Sequence, residues 1–200
     1  MARSPSFAGV ILAAGDSTRM GRDKALLLWQ GKTFLEAAIK SLQSATELVI
    51  VVAGANSEAL KPGAYATGAS VITNRHTERG QFSSLQLGMQ EVLNRGRDAA
   101  ILTLVDRPPA RPSTVARLRD EFLESCDKGV WTIVPEYEQK HGHPIVVGRE
   151  MIEEMLRASL NSTARDVEHA NQSRIKYVAV NDPYVTLNVD TPEDYAELSQ

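Results

Sequence analysis

Seven short, nearly continuous apolar runs limit this chain more than any other feature. They are Gly9–Ala13, Leu48–Ala53, Ser70–Thr73, Ala99–Val105, Trp131–Pro135, Pro144–Val147 and Ile175–Val180. A strand with one face in water alternates apolar and polar residues. A continuous run belongs to a strand covered on both faces, as in a parallel sheet. Between the runs lie helical patterns. Thr33–Ser44 puts Leu35, Ala38, Ile39 and Leu42 on one stripe, and Ser83–Leu93 does the same with Leu85, Met89 and Val92. Ser113 predicts an N-cap for a helix carrying Val115, Leu118 and Phe122. Further helices are expected from Arg149, near Ser162, and after Thr191, where a cap, a proline and two acids stand in order. The expected fold is α/β: three-layer and Rossmann-like, with a mostly parallel sheet. Residues 1–200 read as one domain. The segment 131–170 breaks the alternation and is expected to form a subdomain or a lid on one side of the site.

In open α/β sheets, ligands bind beyond the carboxyl ends of the strands. Gly15-Asp16-Ser17, Gly54-Ala55-Asn56, Asn74-Arg75 and Asp106-Arg107-Pro108 follow the first four runs, so one rim is expected to carry the site. The first run leads into Leu12-Ala13-Ala14-Gly15-Asp16-Ser17-Thr18-Arg19-Met20-Gly21-Arg22-Asp23-Lys24. Ala13, Ala14 and Gly15 let a ligand approach the backbone, and Gly15 and Gly21 tolerate positive φ. Backbone N–H groups in such a loop can face phosphate oxygens, with Ser17, Thr18, Arg19 and Lys24 as further donors. The loop matches neither a Walker A loop nor the dinucleotide fingerprint. Its residues alone leave two readings, a phosphate loop of a third kind or a solvated connection.

Two more segments carry candidate chemistry. Arg79-Gly80-Gln81-Phe82-Ser83-Ser84 precedes a helix whose N–H groups could meet an anion or a base edge, with Ser83 or Ser84 as cap. Asp106, at the end of an apolar strand, is either a turn-former beside proline or a hard oxygen ligand for Mg²⁺.

Leu12-Ala13-Ala14-Gly15-x-Ser17-x-Arg19-Met20-Gly21-x-x-Lys24 resembles the signature of the MobA-like NTP transferases, and within them most resembles the molybdenum-cofactor cytidylyltransferases. The resemblance runs from Gly9 to about Leu198. It implies a fold of the nucleotide-diphospho-sugar transferase type and transfer of a nucleoside monophosphate onto a phosphorylated acceptor such as molybdopterin, with release of pyrophosphate. Leu12 to Lys24 would then hold the triphosphate, with Asn74, Gly80, Ser83 and Ser84 on the nucleotide side. Arg19, Lys24 and Asp106 would serve catalysis. Asp106 would bind Mg²⁺ together with Asp190 of Asn188-Val189-Asp190-Thr191-Pro192. Gly142, His143 and Pro144 would lie near the acceptor, and Arg165-Asp166 on the same side. In this family Ala-Ala-Gly goes with CTP and Ala-Gly-Gly with GTP, so Ala14 points to CTP. Arg107 departs from the pattern, which usually has Gln or Met there.

Other classes fit less well. A net charge of −3 disfavours nucleic acid as partner. No apolar run approaches the roughly 20 residues that span a membrane. A lone Cys126, without zinc-type spacing, is expected to pack on a helix face of a protein in the reducing cytoplasm. A glycosyltransferase would show Asp-x-Asp where Asp106-Arg107-Pro108 stands. Three readings stay open beside the cytidylyltransferase: transfer to a sugar phosphate, transfer to another cofactor, or a non-catalytic protein that delivers a finished cofactor. The expected partners are small molecules, with transient contact to a molybdoenzyme.

Overall fold

The computed structural model describes residues 4–15 and 20–198. In chain order the elements are β1 (Phe7–Ala13), β2 (Leu28–Trp29), β3 (Lys32–Thr33), α1 (Phe34–Gln43), β4 (Leu48–Ala53), α2 (Ser57–Ala66), β5 (Ser70–Thr73), α3 (Gln81–Asn94), β6 (Ala99–Leu104), α4 (Pro112–Ser125), β7 (Thr132–Tyr137), β8 (Lys140–His141), β9 (Ile145–Gly148), α5 (Arg149–Arg157), α6 (Ala164–Ala170), β10 (Ile175–Ala179) and α7 (Pro192–Leu198). The central sheet has the order β10-β7-β9-β6-β1-β4-β5, with β8 paired to β7. Its pairs are parallel except where β9 meets β6 and β7, and where β8 meets β7. The expected α/β architecture with a mixed, mostly parallel sheet is present.

β1 shows why its run had to be continuous. Phe7, Ile11 and Ala13 face one core, which α1, α2 and α4 cover through Leu35, Ile39, Leu60, Leu118 and Phe122. Ala8, Val10 and Leu12 face the other, which α3, α5 and α6 cover through Leu85, Met89, Met151, Met155 and Val167. Successive side chains point to opposite faces of a strand, so a strand between two helix layers needs apolar residues at every position. Residues 131–170 supply β7 and β9 to this same sheet, while α5 and α6 join the second core. Cys126 packs against the first core. Among the described residues, no helix is long and apolar enough to cross a membrane.

Two expected caps fall elsewhere. Ser113 lies inside α4, which starts at Pro112 after an extended Arg111; proline at the first helical position has no N–H to satisfy. α3 starts at Gln81 behind Gly80, whose φ of +82° suits glycine, so neither Ser83 nor Ser84 caps it. Ser83 instead donates to the Gly80 carbonyl. The helix after Ser162 is capped by Thr163, in a reciprocal pair with Asp166.

Candidate functional site

The expected rim is where the polar residues gather. The carboxyl end of β1 is tied to its neighbours through Asn56, which follows β4. The Asn56 side-chain amide donates to the Ala13 carbonyl at 2.9 Å and to Asp23 Oδ2 at 2.7 Å, and its oxygen accepts from Gly54 N at 3.0 Å. Asp23 in turn caps the short 3-10 turn Lys24–Leu26. The far end of the glycine segment is therefore pinned to the sheet, and Lys24 is buried. Gly21 takes a φ of +65°. Gly15 stays outside the left-handed region, and a Cβ on it would meet nothing within 4 Å. Its smallness leaves open space rather than permitting a turn. Ser17 and Arg19 lie outside the described residues.

The expected nucleotide residues divide in two. Leu12, Ala14, Gly15, Gly80 and Ser84 line one small cavity of about 190 Å³, together with Thr77 and Gln81. That is below the roughly 300 Å³ of a whole-ligand pocket, so it has the size of a subsite. Ala13 is in the core. Asn74 is buried, and its amide donates to both Ser83 Oγ and Ser84 Oγ at 2.9 Å, with its oxygen taking His76 N at 2.8 Å. Asn74 thus spends its side chain on fixing the two serines and does not line the cavity; neither does Ser83.

The carboxylates lie around the end of β6. Val189 N donates to the Asp106 carbonyl at 2.8 Å, which docks the Asn188–Asp190 segment on that strand end. Lys24 Nζ donates to Asp190 Oδ1 at 2.7 Å. Asp106 Oδ1 is buried and has no hydrogen-bond partner among the described residues. Arg107 is buried beside it, with Nε 3.5 Å from Asp106 Oδ1 and Nη1 donating to the Val185 carbonyl at 3.3 Å. Burial pulls the Arg107 guanidinium below its ordinary range, while Asp106 and, more weakly, Asp190 oppose that shift. The residue that departs from the family pattern is thus a buried counter-charge for the carboxylates. A buried carboxylate oxygen without a donor suits a hard divalent cation, which needs only one or two carboxylates when substrate phosphates complete the shell.

The Val185 carbonyl links this region to the residues expected on the acceptor side, for it also accepts from His143 N at 2.8 Å. A Cβ at Gly142 would lie 2.0 Å from that carbonyl oxygen. Gly142→Ala is therefore expected to force the backbone apart and lower stability by about 1–3 kcal/mol, read by urea unfolding. Gly142 and Pro144 are buried, whereas His143 lines a larger cavity of about 1040 Å³. Its apolar lining includes Leu12, Phe82, Leu102, Ile145 and Met155; its rim carries Glu78, Arg79, His141, Arg165, Glu168, His169 and Tyr177. The two cavities share Leu12, Gly80 and Gln81 as walls. Of the rim residues, Glu168, His169 and Tyr177 carry no motif in the sequence; only the packing of α6 and β10 brings them here.

Burial, and to a lesser degree the Arg107 charge, pushes His143 down to about 3. The imidazole is neutral at neutral pH, offering one donor and one acceptor. The sign of the linkage follows. Between about pH 6.5 and 3 the unfolded chain holds a proton at His143 that the folded chain does not, so stability falls as pH falls. His143→Gln is expected to flatten this fall, by at most about 1.4 kcal/mol per pH unit, in melting curves taken across that window.

The α/β architecture with its mixed, mostly parallel sheet is shared with solved structures at TM-scores of 0.73 and 0.75 and identities of 16% and 12%, a likeness of fold alone. The MobA-like NTP transferase domain matches residues 9–175, and the chain belongs to that family. A "Probable molybdenum cofactor guanylyltransferase" of Bacillus cereus is 25% identical over 198 residues, covering 96% of this chain and 94% of the relative. The "Nicotine blue oxidoreductase" of Paenarthrobacter nicotinovorans is 34% identical over 116 residues, 57% of this chain and 56% of the relative. The crystal structure of Rv0371c from Mycobacterium tuberculosis H37Rv has a TM-score of 0.83 at 28% identity, covering 99% of each chain. Its manganese complex matches at a TM-score of 0.78 and 27% identity, over 97% of this chain and 98% of that one.

Proposed function

We propose that residues 1–200 form one nucleotidyltransferase domain that moves CMP from CTP onto a phosphate of a molybdopterin-type acceptor, releasing pyrophosphate. One observation carries this reading: the Lys24–Asp190 ion pair and Asp106, whose Oδ1 faces Arg107 but accepts no hydrogen bond among the described residues, are joined at the strand rim by the Val189 N–Asp106 carbonyl contact. Asp106 and Asp190 would hold Mg²⁺; the manganese complex of the mycobacterial protein supports a divalent ion here. When bound, the ion supplies charge neutralisation at phosphate oxygens. Lys24 adds a fixed positive charge for the leaving pyrophosphate, together with Arg19 from the glycine loop. Leu12, Ala14, Gly15, Gly80 and Ser84 seat part of the nucleotide, and Asn74 holds Ser84 in place. Residues 131–170, with His143, form the acceptor side; the walls shared by the two cavities support this arrangement. Catalysis is then positioning plus charge neutralisation, and no protein nucleophile is required.

Ala14 favours CTP. The relatives named guanylyltransferases, at 23–26% identity over most of the chain, favour GTP as the second reading. The decisive test measures pyrophosphate release with CTP, GTP, ATP and UTP in turn, each with Mg²⁺ and molybdopterin. Faster turnover of CTP is expected. Preference for GTP would retain the transferase and overturn the base assignment; no release with any of the four would overturn both.

A further inference from the structure

The large cavity holds a carboxylate that the proposed chemistry leaves unused. Glu168 lies on α6, where the reciprocal Thr163–Asp166 cap fixes the first turn and Val167 is buried in the core beneath. The next residue, Glu168, is half-buried and lines the cavity. Its carboxylate makes no hydrogen bond or close ion pair among the described residues, although Arg165 and His169 stand on the same helix. Burial raises its carboxyl above the usual carboxylate range, and those two neighbours only partly offset this. A partly desolvated acceptor without a donor is costly unless a ligand supplies one.

We infer that Glu168 selects the acceptor by taking two adjacent N–H donors from one edge of a planar nitrogen heterocycle seated in this cavity. Three observations define that ligand class. A carboxylate only accepts, so the ligand brings the donors, and two neighbouring N–H groups match its two oxygens. The lining formed by Leu12, Phe82, Leu102, Ile145 and Met155 is apolar, which suits the face of a ring, while few polar groups fix its orientation. Arg79 and Arg165 on the walls offset the charges of Glu78 and Glu168, so the lining does not call for a cationic ligand and a neutral ring fits. The inference rests on the acceptor side proposed above and names the part of the acceptor that is read.

The test compares pterin with lumazine, which carries oxygen where pterin carries its 2-amino group, in fluorescence titrations. Wild type is expected to bind pterin about tenfold more tightly than lumazine, because lumazine sets an acceptor against Glu168. Glu168→Gln keeps the shape but replaces one acceptor by a donor, and the preference for pterin is expected to vanish. Its melting temperature reports whether it folds. The wild-type ratio stands whether or not the variant does. Equal binding of both rings, binding of neither, or a preference retained in a folded Glu168→Gln protein would each overturn the assignment. Calorimetry of Mg-CTP and Mg-GTP on the same wild-type preparation separates the two proposals. Nucleotide binding without pterin selectivity removes only the role of Glu168. Loss of both removes the transferase reading as well.

Discussion

Asp106→Ala is expected to fold and to release pyrophosphate roughly a thousandfold more slowly than wild type, or not at all. The fold should survive because the contact that docks residues 188–190 uses the Asp106 backbone carbonyl, which alanine retains. Of the carboxylate that is lost, Oδ1 makes no hydrogen bond among the described residues, only the 3.5 Å ion pair with Arg107. The main structural cost falls on Arg107, a buried cation that loses its nearer counter-charge while keeping the Val185 carbonyl and the field of Asp190. Arg107 therefore decides how clean the experiment is. Removing one member of a buried pair is destabilising, but this pair is at 3.5 Å and its carboxylate is about one-third exposed. Asp106→Asn keeps the volume beside Arg107 and loses only the charge, so the two variants should share the catalytic defect and differ in stability. Turnover near wild type in either folded variant would remove Asp106 from the mechanism.

The fold was legible in the sequence wherever one strong physical requirement acted on consecutive residues. β1, β4 and β6 had to be apolar at almost every position because helices cover both sheet faces, whereas the edge strand β5 keeps only Val71 and Ile72 apolar. Short or contradictory signals were lost. β2 and β3 have two residues each, too few to show a period. α2 carries Pro62 and Gly63 in its interior, and it is a helix because Leu60 and Ala64 pack into the first core. The start of α3 was misplaced because serines suit caps, whereas the conformation of Gly80 ended the preceding turn first. The rim itself was readable, since polar residues after buried strands have few other uses. The division of labour on it was not: that Asn74 spends its amide on Ser83 and Ser84 depends on contacts across nine and ten residues of chain. Glu168 and His169 face the same cavity as Leu12 from more than 150 positions away, and no local pattern announces that.

Lys24→Met should show that the ion pair at 2.7 Å serves chemistry more than folding. In the proposed mechanism Lys24 meets charge that grows as pyrophosphate leaves, so its loss should lower kcat by about a hundredfold or more and raise the KM for the nucleotide less. Stability should also fall, because the Lys24 side chain is only 10% exposed and its removal takes away the cation that pairs with Asp190 Oδ1. Asp190 is 34% exposed, so water recovers part of that loss, and a cost of about 1–2 kcal/mol is expected. A double-mutant cycle with Asp190→Asn separates the two effects. If the pair acts only as a structural clamp, the double variant should regain stability over Lys24→Met and activity should follow it. If Lys24 faces the phosphates and Asp190 the metal, each single change removes a different element of charge neutralisation. The double variant should then regain stability without regaining turnover. Recovery of both together would leave the lysine a structural role and shift the phosphate contacts to Arg19 and the backbone of the glycine loop.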